Sequence, residues 1–269
     1  MDRNKINPNA IDVHIAEIYD RTETENEDVA LIRRLIGKKK RLRILEPFCG
    51  TGRILIPLAR DGHEIFGMDQ APPMLDRAQQ KIKLLHWNVQ QKITLINSDV
   101  VTANWPQGFD LVILGDNCFY ELATAEQQEQ CIRSAAGSLV PGGMIFIDND
   151  HMEGELDQAW QKLGTSQLSL VGVCSDGTSV ESARETIWFD AFRRLVRFRR
   201  WTKIIFPDGR SVEKEFVQQK HPVSVVEIRG WLEDHGFVIE QFYGDHAGNT
   251  YIDASKRAIF CARKYNLLQ

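Results

Sequence analysis

Between residues 42 and 150, short apolar runs alternate with longer stretches of helical period, and no other feature limits the possible folds of this chain as strongly. Arg43-Ile44-Leu45-Glu46, Glu64-Ile65-Phe66-Gly67, Ile93-Thr94-Leu95-Ile96, Leu111-Val112-Ile113-Leu114 and Met144-Ile145-Phe146-Ile147 read as strands. Thr51 to Arg60, Pro73 to Leu85 and Ala125 to Leu139 read as helices between them. Pro141-Gly142-Gly143 stops the last helix, and Pro57 is expected to kink the first. Strands separated by helical crossovers pair in parallel, with helices covering both faces of the sheet. Two later runs, Phe237 to Tyr243 and Arg257 to Lys264, add strands to this unit. The expected fold class is α/β, a Rossmann-like doubly wound sheet of seven strands.

The flanks divide the chain. Ile11 to Tyr19 and Glu27 to Ile36 read as two N-terminal helices, followed by the basic run Lys38-Lys39-Lys40-Arg41, expected to be a solvated loop. Residues 151 to 221 change character: Thr186 to Phe192, Leu195 to Phe206 and Arg210 to Gln219 are β-rich, and Pro207-Asp208-Gly209 is a hairpin turn. A helix returns at Ser224 to His235. The expected organisation is 1–150 for N-terminal helices and core, 151–221 for an antiparallel β insertion, and 222–269 for completion of the core sheet.

The balance of 33 Lys plus Arg against 37 Asp plus Glu gives a net charge of −4, which argues against nucleic acid as the main partner. Apolar runs fall far short of the roughly 18 residues of a membrane span, and the polar start MDRNKINPNA has no secretory pattern. Five scattered cysteines form no C-x-x-C pair, which fits a reducing, cytoplasmic setting. No paired His/Cys spacing suggests a metal site.

Gly50-Thr51-Gly52 falls where the first strand turns into the first helix, so a ligand can approach the backbone without interference from Cβ atoms. A dinucleotide fingerprint requires a third glycine at position 55, but that residue is Leu55, which argues against NAD. The run Glu46-Pro47-Phe48-Cys49-Gly50-Thr51-Gly52-Arg53 instead resembles motif I of the class I S-adenosylmethionine-dependent methyltransferases. The resemblance continues in order through Gly67-Met68-Asp69, Met74-Leu75, Ser98-Asp99-Val100, Phe109-Asp110-Leu111-Val112 and Leu139-Val140-Pro141-Gly142-Gly143. Ile18-Tyr19-Asp20 resembles the helix that closes over the cofactor, and the insertion is similar to that of small-molecule methyltransferases related to glycine and amino-sugar methylation. Phe48 departs from the family pattern, which has glycine there; the loop is expected to be tighter as a result.

The resemblance implies S-adenosyl-L-methionine as cofactor and carries roles onto individual residues. Asp69 becomes the acceptor for the ribose hydroxyls, Asp99 and the Val100 amide partners of the adenine ring, and Gly50 and Gly52 the close backbone approach. Glu46 falls to the methionine amino group or the loop amides, Asp116 to that amino group or to a substrate amine, Arg53 to the methionine carboxylate, and Tyr19 and Met74 to the cofactor's surroundings. On the acceptor side, Asn117 and Tyr120 follow the fourth strand, where the sulfonium methyl points. His151 is the candidate base, against a solvated-loop reading, with His246 and Tyr251 as weaker candidates. The run from Arg193 to Trp201 interleaves cations and aromatics. A sheet face paired with Glu213 and Glu215 explains it better than a nucleic-acid platform. The expected activity is methyl transfer to N or O of a small-molecule acceptor by in-line displacement, in a possible homo-oligomer. RNA or protein methylation on the same fold, and non-catalytic cofactor binding, remain as alternatives.

Overall fold

The computed structural model describes residues 9–37, 41–153, 158 and 160–265. Five strands, β1 (Arg43–Pro47), β2 (Glu64–Asp69), β3 (Ile93–Asn97), β4 (Phe109–Leu114) and β5 (Leu139–Asp150), pair in parallel. The two late strands, β10 (Phe237–Tyr243) and β11 (Arg257–Lys264), have no helix between them, so they return antiparallel to each other, and β11 is also antiparallel to β5. The resulting order is β10-β11-β5-β4-β1-β2-β3, a mixed seven-stranded sheet whose five parallel strands are those of the alternating region.

Both faces of this sheet are buried, which explains the unbroken apolar runs. Leu45, Val112, Ile145 and Phe260 pack on one side with Ile132 and Leu232 from the helices α6 (Ala125–Ser138) and α7 (Val225–Asp234). Ile44, Leu111, Phe146 and Ile259 pack on the other with Ile32 of α2 (Glu27–Ile36) and Leu58 of α3 (Leu55–Arg60). Thr124 caps α6, and a capping box between Ser224 and Glu227 starts α7. The first crossover helix begins at Leu55 rather than Thr51, so Pro57 lies in its first turn and replaces no interior hydrogen bond. The remaining helices are α1 (Asn9–Thr22), α4 (Pro72–Lys83) and the single turn α5 (Trp87–Gln90).

The insertion is a four-stranded antiparallel sheet of β6 (Ser166–Val173), β7 (Ser179–Asp190), β8 (Leu195–Ile205) and β9 (Ser211–Lys220). Its first strand and the first half of the second went unread in the sequence, where polar residues dilute the alternation. One end of its inner face, Val180 and Ile204, packs on Ile18 of α1. The other end, Val196 and Phe198, joins the main core beside Tyr120 and Trp160. The sheet therefore bridges α1 and the core, in the place expected for a lid. Of the basic run, only Arg41 is among the described residues; it pairs with Glu64 at 2.9 Å. The Arg193 to Trp201 run pairs mostly within the lid, but with other partners than expected. Arg199 meets Glu185 on β7 at 2.5 Å, Arg197 bonds Gln219, and Glu213 goes to Lys203.

Candidate functional site

The strand order reverses between β1 and β4, and the crevice beyond the carboxyl ends of these strands is where such sheets bind ligands. The β1 turn crosses this point in an unusual conformation. Phe48 takes φ +61°, so it keeps the left-handed backbone of a glycine, a conformation that costs a bulky residue about 1–2 kcal/mol. The loop is thus strained at Phe48 rather than simply tighter. Gly50 (φ +51°) has open space where a Cβ would stand, while Gly52 (φ +80°) faces Ile56 and Ala78. Only Gly50 of the two therefore borders open space. Leu55, in place of a third glycine, is fully buried, and its bulk is accommodated by Gly67 on β2: a Cβ there would meet Leu55 Cδ1 at 2.5 Å.

Asp69 ends β2 and braces this loop. Its Oδ2 accepts from the Gly50 amide at 2.9 Å and its Oδ1 from the Ala71 amide at 2.8 Å. Burial raises its pKa while these amide bonds pull the other way. A carboxylate accepts about four hydrogen bonds, so acceptor capacity remains for a ribose hydroxyl. Glu46 is 4% exposed, and its Oε2 has no hydrogen-bond partner among the described residues. Burial, only partly offset by Arg53, pushes its pKa well up. A buried carboxyl oxygen without a donor, beside a glycine bordering open space, fits a ligand that brings a cationic amine. Asp99 is exposed and accepts from the Val101 amide at 2.9 Å. The Val100 side chain is buried, and its carbonyl accepts from Trp105. Met74 stands half-buried in the first turn of α4.

Arg53 does not stand free for an incoming carboxylate. Its guanidinium holds Asp28 through two bonds, of 2.9 and 2.6 Å, and comes within 3.3 Å of Asp116. Burial works against its charge, but Asp28 and Asp116 hold its pKa high. Tyr19 of α1 donates to Asp116 at 3.2 Å, and burial with the Asp116 charge holds that phenol protonated. Asp116 thus links the N-terminal helices to the crevice; the role of Asp28 had no signal in the sequence.

After β4 the chain turns through Asp116 (φ +52°) and Asn117 (φ +60°), residue types that tolerate the left-handed region. The Asn117 side chain accepts from the Asp150 amide at 2.6 Å and donates to the Asp150 carboxylate at 3.2 Å. Tyr120 is 4% exposed and donates to the Asp150 carbonyl at 2.7 Å. Both side chains therefore fix the end of β5. Arg257 of β11 reaches Asp148 at 2.7 Å and Asp150 at 2.8 Å, and His246 lies 2.8 Å from the other Asp148 oxygen. Burial opposes the Asp148 charge, but these two partners hold its pKa below the usual carboxylate range. Asp150 shifts up instead, through burial and the nearby Asp148 and Asp116 charges.

His151 is not a solvated loop residue, since only 8% of its side chain is exposed. Its Nδ1 lies 2.9 Å from the Ser255 carbonyl, which can only accept, so Nδ1 carries the proton. Nε2 then points toward the Tyr251 hydroxyl at 3.0 Å and Glu153 at 3.3 Å. No local pattern marks Arg257 or Glu153 as members of the site. Strand register supplies Arg257, which stands directly across from Asp150.

Comparison with known proteins bears on the fold and the class of reaction. Residues 44–143 match the family model described as a methyltransferase domain. The chain is 24% identical over 222 residues to the cypemycin N-terminal methyltransferase of a Streptomyces species, with 80% of each chain covered. An S-adenosylmethionine-dependent methyltransferase from Clostridium acetobutylicum has the same fold, with a TM-score of 0.73, 14% identity, and 97% of this chain and 100% of that one covered. A sugar N-methyltransferase from Streptoalloteichus superposes with a TM-score of 0.69 at 17% identity, covering 92% of both. The fold is that of the class I S-adenosylmethionine-dependent methyltransferases, and residues 44–143 are a methyltransferase domain. The chain is a methyltransferase that uses S-adenosylmethionine. Among the described residues, no helix is long and apolar enough to cross a membrane.

Proposed function

We propose that this enzyme methylates an amine nitrogen of a small molecule, with the acceptor held between the β4 turn and the end of β5. The observation that carries this reading is the Asp150 carboxylate. It is 38% exposed at the crevice and fixed by Arg257 and Asn117, with the Asp116 carboxylate near enough to raise its pKa. An acid-lined wall of this kind attracts an ammonium group. S-adenosylmethionine, when bound, supplies an already activated methyl group, so the protein's main tasks are orientation and exclusion of water. Asn117 and Tyr120 serve as positioning residues, because each holds Asp150 and neither presents a free polar group. The neighbouring His151 has its Nδ1 proton fixed on Ser255, and its Nε2 receives the proton that an attacking amine must lose. The names of the cypemycin N-terminal and sugar N-methyltransferases support nitrogen over oxygen as the acceptor.

The test is transfer of a labelled methyl group from S-adenosylmethionine to a panel of amino sugars, amino acids and peptide N-termini, with matched alcohols alongside. Methylation of amines but not of alcohols is expected. Methylation of alcohols alone would overturn the acceptor assignment.

A further inference from the structure

The middle of the lid's inner face is cationic, flanked at both ends by apolar anchors. Along β8 the inward residues are Val196 and Phe198, then Arg200 and Thr202, then Ile204. On β7, Arg184 stands directly across from Arg200, and Ser182 directly across from Thr202, with the two hydroxyls 2.8 Å apart. Like charges placed opposite each other weaken a sheet. Arg184 packs over the rings of Trp160 and Phe198, at 5.4 and 5.1 Å, and has no ion pair among the described residues. Arg200 donates to Gln218 of β9 at 2.8 Å, and Lys220 of the same strand reaches Glu121 at 2.8 Å. Gln218 also donates to Glu121, at 3.1 Å. Three cations thus share one carboxylate, an excess of 3 − 1 = 2 positive charges.

Glu121 shows that this cluster faces a crevice. Its side chain is 54% exposed, although it holds the buried Lys220 ammonium and accepts from Gln218. It sits on the same turn as Asn117 and Tyr120, and its charge reaches Asp69. Surplus positive charge also explains why Glu121 and Lys220 shift in the same direction. Burial works against the Glu121 charge, but the cations pull its pKa down, while burial and the two arginines pull Lys220 down as well.

We propose that Arg184 and Arg200, with Lys220, form an anion subsite in the lid that takes the oxyanion of the methyl acceptor, a carboxylate or a phosphate. The inference rests on the reading of this crevice as the acceptor site. The acceptor then carries an amine at the Asp150 end and an acidic group at the lid end, with Trp160 and Phe198 beside its apolar part. Its two charges register it across the crevice.

The test uses calorimetric titration of the protein saturated with S-adenosylhomocysteine. The probes are phenylacetate, phenyl phosphate and the neutral phenylacetamide. At least one anion is expected to bind roughly 10-fold or more tightly than the amide, as charge-assisted hydrogen bonds require. The stronger anion identifies the source as carboxylate or phosphate. Arg184→Gln and Arg200→Gln should each weaken anion binding about 5-fold or more while S-adenosylhomocysteine binding is retained. Glu121→Gln should strengthen it about 3-fold, a change opposite to what general loosening of the lid would cause. Equal binding of amide and anions, no anion binding at all, or anion affinity unchanged in both arginine variants would overturn the proposal. The labelled-methyl assay on amines and alcohols separates the two readings. Methylation of alcohols alone strikes the acceptor reading, while anion selectivity in the titration is judged on its own.

Discussion

Asp69 does two jobs with one carboxylate: it accepts from the Gly50 and Ala71 amides and keeps acceptor positions for a ligand. Asp69→Ala should therefore weaken S-adenosylhomocysteine binding by roughly 1.5–3 kcal/mol, the scale of hydrogen bonds to a charged group. Calorimetry checks this, and an unchanged affinity would remove Asp69 from the donor site. His246 makes a different kind of prediction. Burial lowers its pKa, but Asp148 more than compensates, so the folded value lies above the ordinary one. The stabilisation this gives is full below the unfolded histidine value of ~6.5 and is lost as pH rises through the folded value. Asp148 has the opposite edge: its contribution is present above its unfolded value of ~3.9 and is lost as pH falls through its depressed folded value. The melting-temperature gap between the natural protein and His246→Gln should be widest near pH ~5–6 and should narrow above neutrality. A gap that widens with pH would show that His246 is held neutral.

The contact of α3 with β2 tests whether the glycine loop is built as a packed unit. Leu55 occupies the position where a dinucleotide-binding loop has glycine, and Gly67 supplies the missing space from the facing strand. Gly67→Ala should destabilise the protein by about 1–3 kcal/mol through overpacking. In a Leu55→Ala background the same change should cost less, the remainder falling on Cys49, whose Sγ would lie 2.8 Å from the new Cβ, and a denaturation double-mutant cycle reads the difference. Additive effects would mean that the two do not share the space. This exchange was half legible in the sequence: position 55 declared itself, but nothing local marked Gly67 as its partner. The same limit applies at the site. Asp69, Glu46 and Gly50 were readable because motif and strand order place them together. Arg257 and Asp28 were not, because each meets its partner through register or helix packing across long stretches of chain. β10 and β11 are legible to their ends because apolar residues cluster in each between polar or glycine boundaries, whereas the apolar residues of β6 are interrupted by Ser, Gln and Gly.

At the scale of the whole molecule, α1 connects what would otherwise be separate parts. Its Ile18 packs into the lid against Val180 and Ile204, and against Gly172, where a Cβ would come within 2.8 Å of Ile18 Cδ1. Its Asp20 pairs with Arg77 at 3.1 Å and with Lys81 of α4, and Lys81 in turn reaches Thr51 in the glycine loop at 3.4 Å. Tyr19, between them, holds Asp116. In the proposed arrangement a ligand lies between the insertion, α1 and the sheet, and exchange of donor and product is expected to involve α1. Asp20→Ala removes the tie to α4 and leaves the Ile18 packing in place. Partly buried ion pairs of this kind contribute about 0.5–1.5 kcal/mol, so the dissociation rate of S-adenosylhomocysteine should rise about 3- to 10-fold. Its association rate should change less, because encounter does not require the closed arrangement. Surface plasmon resonance on the natural protein and the variant measures both rates. An unchanged dissociation rate would mean that exchange bypasses α1 and proceeds through the lid alone.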